Sequence, residues 1–365
     1  MIERRKRRRV EVGGIPIGGG APVTVQSMTK TDTRDVEATV RQLARLAESG
    51  CEIARCAIPD ASAAEAFARI KRMSPLPLVA DIHFDYRLAL AAIAAGADKL
   101  RINPGNIGGR ERVREVARAA KERGIPIRVG VNAGSLEKDL LAKYGRPCAE
   151  ALVESARRSA GLLEDEGFRD IVISIKASDA VTTVEAYEAI AEATEYPLHV
   201  GLTEAGGPRA GTVKSAVAIG ALLLRGIGDT IRVSLTAQPE EEVRVAREIL
   251  SAVGLRRFGI EVISCPTCGR CHGDLFGIVR DVERRVAGID APLTVAVMGC
   301  EVNGPGEARE ADIGVALGEG AGLLFTHGKP SGRVPRSEIV ERLLVEIRKM
   351  AREVRERPNA AGGLV

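Results

Sequence analysis

Tryptophan is absent from the 365-residue chain, and the aromatics together make up only 3%. The core must rest on Val, Ile, Leu and Ala, which suits alternating strands and helices better than an aromatic-rich sandwich. No apolar run approaches the ~20 residues of a membrane span. The basic start is followed by "VEVGGIPIGGG", not by an apolar signal segment. Cysteine is scarce and odd in number, seven in all with four between residues 265 and 300. That count argues against a disulfide framework and for a reducing, cytoplasmic compartment. A basic body is missing too. Residues 1–9, "MIERRKRRR", carry a net +5, and removing them takes the formal +4 to −1. Nucleic acid is therefore not an expected partner, and the arm is expected to be a solvated, disordered terminus.

What is present is a period. Strand-like runs begin at 23, 51, 77, 99, 126, 170, 197 and 230, spaced by 22 to 44 residues. Amphipathic stretches lie between them, at 35–49, 62–73, 86–95, 109–123, 150–166, 179–194, 209–225 and 239–253. Asp35 and Ser178 or Asp179 stand where N-caps belong, and Gly50, Gly96, Gly124 and Gly254 where helices end. Eight strand–helix units predict a (β/α)8 TIM-like barrel over 23–255, preceded by an arm and lead-in at 1–22. A doubly wound open sheet is the alternative, weakened because no G-x-G-x-x-G follows the first strand. After Gly254 the pattern changes to short strands and two helices, near 274–287 and 337–356, a small α+β domain over 256–365. The tail at 357–365 is expected to fray.

A barrel of this kind works at the C-terminal ends of its strands. Those ends carry Arg55, Asp81, His83, Arg101, Asn103, Arg128, Asn132, Lys176, Thr203, Glu204, Arg232 and Ser234, with Lys214 early in a helix. An apolar barrel has no structural use for four arginines and a lysine at one rim, since like charges repel unless a counterion sits among them. An anion fits, because guanidinium forks match phosphate oxygens. Internal pairing with Asp81 and Glu204 is the structural alternative. His199, inside its strand, is expected to be a satisfied core histidine.

In the second domain Cys265, Cys268 and Cys271 form C-x2-C-x2-C, and Cys300 returns 29 residues later. Thiolates at this spacing can share one zinc ion or one iron–sulfur cluster. The second C-x2-C knuckle usual in a zinc ribbon is missing, which favours the cluster. Cys51, Cys56 and Cys148 are expected to stand apart from the site.

The stretches "VQSMTKTDTRDVEAT", "VADIHFDYRLAL", "LRINPGNIG", "VGVNAGSL", "HVGLTEAG", "SCPTCGR" and "MGCEVNGPGEA" occur in that order. Together they resemble the family of flavodoxin- or ferredoxin-dependent 4-hydroxy-3-methylbut-2-en-1-yl diphosphate synthases, in its short bacterial two-domain form. The resemblance implies a [4Fe–4S] cluster held by Cys265, Cys268, Cys300 and Glu307. It implies reductive ring opening and dehydration of 2-C-methyl-D-erythritol 2,4-cyclodiphosphate in the non-mevalonate isoprenoid pathway. It places Arg55, Arg101, Arg128, Lys176 and Lys214 near phosphate oxygens, helped by Asn103, Asn132 and Ser264, and Glu204 near the bond that breaks. It also implies a head-to-tail homodimer in which one subunit's cluster faces the other's barrel. A carboxylate leaves iron more readily than a thiolate does, which suits a position that substrate must reach. Cys271 departs from the family's pattern and is expected to stand outside the ligand set, with four thiolates as the rival arrangement. Two other readings use the same features: a barrel transferase of pteroate-synthase type with a structural zinc domain, and an electron carrier or metal-regulated RNA binder using the arm.

Overall fold

The computed structural model describes residues 2–302 and 304–356, so the tail at 357–365 lies outside the described residues. Contacts divide the chain into two units, one running through Arg256 and one from Arg257. The first opens with a hairpin, β1 (Val10–Val12) and β2 (Ile15–Ile17). Eight parallel strands follow: β3 (Thr24–Met28), β4 (Ile53–Ala57), β5 (Leu78–Asp81), β6 (Lys99–Ile102), β7 (Ile127–Asn132), β8 (Ile171–Lys176), β9 (His199–Val200) and β10 (Thr230–Ile231). They bond in the order β8-β7-β6-β5-β4-β3-β10-β9, and a parallel bridge from Ile173 to Leu198 joins the ends. The helices are α1 (Val36–Glu48), α2 (Ala61–Met73), α3 (Tyr86–Ala94), α4 (Arg110–Glu122), α5 (Lys138–Tyr144), α6 (Ala149–Glu164), α7 (Ala180–Ala193), α8 (Pro208–Leu224) and α9 (Pro239–Ala252). The result is a TIM-like barrel, with α5 as an unforeseen insertion.

Local chemistry sets the element ends. The Asp35 carboxylate accepts the Ala38 N–H at 2.9 Å, and Asp179 accepts that of Thr182 at 2.7 Å. Each satisfies a donor that the first helical turn leaves over. Gly50, with φ at +87°, ends α1 in a conformation that a side chain would oppose. Val36, Leu43 and Leu46 then face the strands from one side of α1.

Alternate strand residues point inward, and this interior is unusually polar for a barrel. Thr24, Gln26, Lys99, Arg128, His199 and Thr230 are all buried there. Below them Val12 and Ile17 of the hairpin pack on Ile53 and Val79 and plug the floor.

The arm does not behave as a solvated terminus. Arg4 donates to Asp229 at 2.9 Å and to the Ala21 carbonyl, and Arg7 donates to the carbonyls of Ala191 and Thr194. Arg5 pairs with Glu192, and the Arg8 N–H meets the Glu195 carbonyl at 2.8 Å. Asp229 is buried, so its charge needs that cation and the Leu198 N–H, 2.8 Å away. Arg4→Ala is expected to cost about 1–3 kcal/mol, the usual penalty for stranding a buried hydrogen-bonded group. Urea unfolding checks it, and an unchanged midpoint would refute the clasp.

The second unit is a five-stranded sheet with β11 (Glu261–Ser264), β12 (Thr294–Met298) and β13 (Ile313–Leu317) parallel. Strands β14 (Ala321–Thr326) and β15 (Lys329–Pro335) add antiparallel to it. Helix α10 (Leu275–Val286) and helix α12 (Ile339–Glu356) cover it, with the one-turn α11 (Gly304–Glu307) between β12 and β13. The face expected on the last helix, Ile339, Leu343, Leu344, Ile347 and Met350, is buried against Val295, Val297 and Val315.

Candidate functional site: a cationic barrel mouth and a cysteine cluster

Sheet register builds the mouth. Asp81, Arg101 and Arg128 are lateral neighbours on β5, β6 and β7, and Asn132 lies beside Lys176 on β7 and β8. Asp81, Arg101, Asn132 and Lys176 stand at the C-terminal ends of their strands, whereas Arg128, expected at such an end, lies near the start of β7 and reaches the cavity because β7 is staggered against β6. They line a cavity of about 150 Å³ together with Arg55, His83, Arg232 and Ser234. Ser174, Leu202 and Thr203 complete it.

Five cations therefore line the cavity with one carboxylate among them, Asp81. It takes Arg101 Nη1 at 3.2 Å, Arg55 Nε at 3.7 Å and His83 Nε2 at 3.5 Å. Burial opposes its charge, but Arg55, His83 and Arg101 hold the carboxyl far below the usual range. Burial lowers Arg55 to about 10. Arg232 meets Glu242 at 3.7 Å, outside the cavity lining, and neither Arg128 nor Lys176 forms an ion pair among the described residues. Arg128 is 2% exposed, and its Nε and Nη1 have no hydrogen-bond partner, nor has Lys176 Nζ. Buried donors left unmade cost free energy, so this arrangement is complete only with an anion in it. The bare backbone of Gly201 makes room: a Cβ there would come 2.2 Å from the Arg232 carbonyl oxygen and 3.0 Å from Lys176 Nζ. A larger groove of about 520 Å³ lies along the arm, but its arginines already bond Glu192 and main-chain carbonyls.

The remaining barrel residues singled out in the sequence sit differently. Asn103 is buried, its Oδ1 accepting the Gly105 N–H at 3.1 Å while its Nδ2 has no partner. Glu204 is exposed on the loop after β9 with φ at +53°, a left-handed conformation that a non-glycine residue adopts at a cost. Lys214 is exposed in the second turn of α8 and does not line the cavity. His199 is fully buried, yet neither ring nitrogen has a partner, so it is not the satisfied core histidine expected. Sequence reasoning missed Glu242, hidden in the acidic start of α9. It is buried, accepts the Leu235 N–H at 2.9 Å, and lies 3.1 Å from Lys30 and 3.7 Å from Arg232.

The buried bases give the fold a pH dependence. Burial first, then neighbouring arginines, hold Lys176 and Lys99 well below the ordinary 10.5. Burial and the same cations hold His199 well below 6.5. The unfolded chain binds these protons more readily, so stability rises with pH until the unfolded groups also deprotonate. The histidine contribution falls away below pH 6.5, and the lysine contribution grows toward pH 10.5. The unfolding free energy of ligand-free protein is expected to climb between pH 6 and 9, by up to about 1.4 kcal/mol per pH unit for each proton, and the thermal midpoint with it. Saturating inorganic pyrophosphate should flatten that slope, as should Lys176→Met. An equal slope in all three samples would contradict this origin.

In the second unit β11 and β12 are register neighbours, Ser264 opposite Val297, so the segments leaving them run together. Ser264 is exposed and lines a cavity of about 460 Å³ with Cys265, Thr267 and Phe276. The Gly299 N–H points at Cys265 Sγ, 3.2 Å away. A Cβ on Gly299 would stand 2.8 Å from Cys271 Sγ and 3.3 Å from Cys265 Sγ. Cys271 Sγ and Cys265 Sγ therefore lie within about 6 Å of each other. Cys268 is exposed and Cys300 buried. Glu307 is exposed at the end of α11. Among the described residues no three His, Cys, Asp or Glu side chains are gathered tightly enough for a single metal ion. The donor set is soft sulfur around a glycine cradle, which suits an iron–sulfur group.

Comparison with known proteins places both halves. The GcpE TIM-barrel domain matches residues 7–247, and the GcpE protein C-terminal domain matches 261–349. A 4-hydroxy-3-methylbut-2-en-1-yl diphosphate synthase (flavodoxin) of Geobacter sulfurreducens is 58% identical over 348 residues, 95% of this chain and 99% of that one. One from Desulfotalea psychrophila is 56% identical over 362 residues, 98% of this chain and 100% of the relative. Among solved structures, type I 3-dehydroquinate dehydratase from Clostridium difficile superposes with a TM-score of 0.51 at 13% identity, covering 69% of this chain and 98% of that chain. At that identity the likeness speaks for the barrel fold alone. The two domain matches and the near full-length identity leave no such reserve about family: this chain belongs to the GcpE family, the iron–sulfur 4-hydroxy-3-methylbut-2-en-1-yl diphosphate synthases.

Proposed function

We infer that the chain converts 2-C-methyl-D-erythritol 2,4-cyclodiphosphate to 4-hydroxy-3-methylbut-2-enyl diphosphate in the cytoplasm. Two electrons and two protons enter, one water leaves, and the freed diphosphate gives up a proton. The observation that carries this reading is the charge imbalance at the barrel mouth. Arg55, Arg101, Arg128, Lys176 and Arg232 have only Asp81 among them and Glu242 behind Arg232, with donors on Arg128 and Lys176 unpartnered. A cyclic diphosphate supplies the missing anion.

Arg128 and Lys176 grip phosphoryl oxygens, and Arg55 and Arg101 share their charge between Asp81 and substrate. Asn103, Asn132 and Ser264 supply further polar contacts, with Ser234 and His83 at the rim. Glu204 stands near the carbon–oxygen bond that breaks, as proton donor or as stabiliser of the intermediate. Lys214 serves the outer phosphate, reaching from α8 when substrate is bound. A [4Fe–4S] cluster would be held by Cys265, Cys268, Cys300 and Glu307, and it would supply electrons singly to the substrate. Flavodoxin, which the relatives' names carry, is the donor proposed here. In this reading residues 23–255 bind substrate and 256–365 carry the cluster. Family membership removes the pteroate-synthase alternative.

The test is anaerobic quantification of iron and sulfide, then turnover of the cyclic diphosphate with reduced flavodoxin. A colourless zinc protein, or a brown one without turnover, would sink the reading. Cys148→Ser should leave the iron content unchanged. The head-to-tail homodimer is tested by mixing Cys268→Ala chains with Lys176→Ala chains. Recovery of activity after subunit exchange supports a shared site, and none despite confirmed exchange refutes it.

A further inference from the structure

Arg232 is a mouth cation that the barrel's own sheet holds weakly. It stands just past β10, a strand of two residues, whereas Arg101, Arg128 and Lys176 lie within strands of four to six. Its N–H still bonds the Val200 carbonyl at 2.9 Å, but the chain then leaves the sheet for the loop to α9. The guanidinium lines the cavity with its Nε unpartnered. What fixes it comes from behind. Glu242, in the first turn of α9, is buried, and its two oxygens are each shared between two partners. Oε1 accepts the Leu235 N–H at 2.9 Å and lies 3.1 Å from Lys30 Nζ. Oε2 accepts the Ser27 hydroxyl at 3.2 Å and lies 3.7 Å from Arg232 Nη2. Lys30 in turn donates to the Leu235 carbonyl at 2.8 Å and to that of Ala237, so the loop after Arg232 is pinned from two directions. At 3.7 Å the carboxylate attracts the guanidinium without forming a hydrogen bond, so it orients Arg232 and leaves the donors for another acceptor.

We propose that Glu242 is a positioning residue: it holds Arg232 with its donors turned to the diphosphate, and it favours the anion only through that arginine. This rests on the diphosphate reading above and deepens it. A negative charge close to a bound anion opposes binding by itself. Removing the charge of Glu242 would therefore tighten binding if the carboxylate were only a neighbouring charge, and loosens it if the carboxylate sets the arginine. Glutamine there keeps an oxygen for the Leu235 N–H and turns an amide toward Arg232, donor against donor.

The test is calorimetric titration of whole chains with inorganic pyrophosphate and, separately, with the cyclic diphosphate. Wild type, Glu242→Gln, Arg232→Met and the double variant are compared. Glu242→Gln is expected to weaken binding of both ligands about tenfold, within the coupling usual for neighbouring residues. In the Arg232→Met chain the same change should no longer weaken binding. Glu242→Asp keeps the charge but draws it back by one carbon, so it should weaken binding less, and again only where Arg232 is present. Thermal melting confirms folding of each variant, and if Glu242→Gln does not fold, the aspartate pair gives the answer. Tighter binding by Glu242→Gln, or a loss of the same size with and without Arg232, overturns the inference. If wild type takes pyrophosphate but not the cyclic diphosphate, the substrate reading fails while the pyrophosphate titrations still decide this one. If it takes neither, both fail.

Discussion

Arg128→Met should weaken binding of the cyclic diphosphate about 100- to 1,000-fold while making the ligand-free protein more stable. The two effects have one cause. Arg128 is buried with Nε and Nη1 unpartnered, and burial together with Arg55 and Arg101 opposes its charge. Arginine cannot escape by losing its proton, so the free protein carries the strain. Methionine is of similar length and apolar, and such replacements of buried charge commonly stabilise by about 1–4 kcal/mol. In the complex the same guanidinium makes charge-assisted bonds to phosphate, and truncating one buried partner costs about 2–5 kcal/mol. At about 1.4 kcal/mol per tenfold, the middle of that range gives the affinity loss stated. Calorimetric titration and thermal melting read the two quantities on one sample. A variant that loses stability along with affinity would show that Arg128 is a structural strut.

Asp81→Asn is expected to act in the opposite sense, lowering the stability of the ligand-free protein by about 3–5 kcal/mol. The carboxylate is 4% exposed and serves Arg55, Arg101 and His83 at once. Asparagine keeps the shape and removes the counterion, leaving two buried guanidiniums to repel each other. For a unit of this size the thermal midpoint should fall by about 6–20 °C. Inorganic pyrophosphate should restore much of the loss, since it returns negative charge to the same place. An isosteric variant as stable as wild type would mean that the arginines are compensated by solvent, and the case for an obligatory anion would weaken with it.

The barrel was legible because its signals are local. Apolar runs of strand length alternate with helical faces, and Asp35, Asp179 and the terminal glycines mark boundaries by their own conformational needs. The mouth was legible for a related reason: arginine and lysine at strand ends have no role in an apolar barrel, whatever their neighbours. What escaped depends on distance along the chain. Strand β15 is exposed at every position but Val334 and so shows no alternation. Glu242 reads as one more acid in "PEEEV", and only the packed fold shows it turned inward to Lys30 and Arg232. Lys99 and His199 read as strand residues, and nothing local tells that they share a polar interior. Cys271 could be counted but not located. Its closeness to Cys265 comes from the turn after β11, in which the Cys271 N–H bonds the Cys268 carbonyl and the His272 N–H the Gly299 carbonyl.

The clasp at the barrel floor has a consequence for synthesis. Arg4 and Asp229 are 225 residues apart, so this bond cannot form until the chain has been made through to β10. The Arg5 and Arg7 side chains and the Arg8 N–H find their partners between Ala191 and Glu195, so the clasp closes in order, first on the end of α7 and then on β10. One segment thus ties the end of α7 to the start of β10, and a pull on the arm is borne by both.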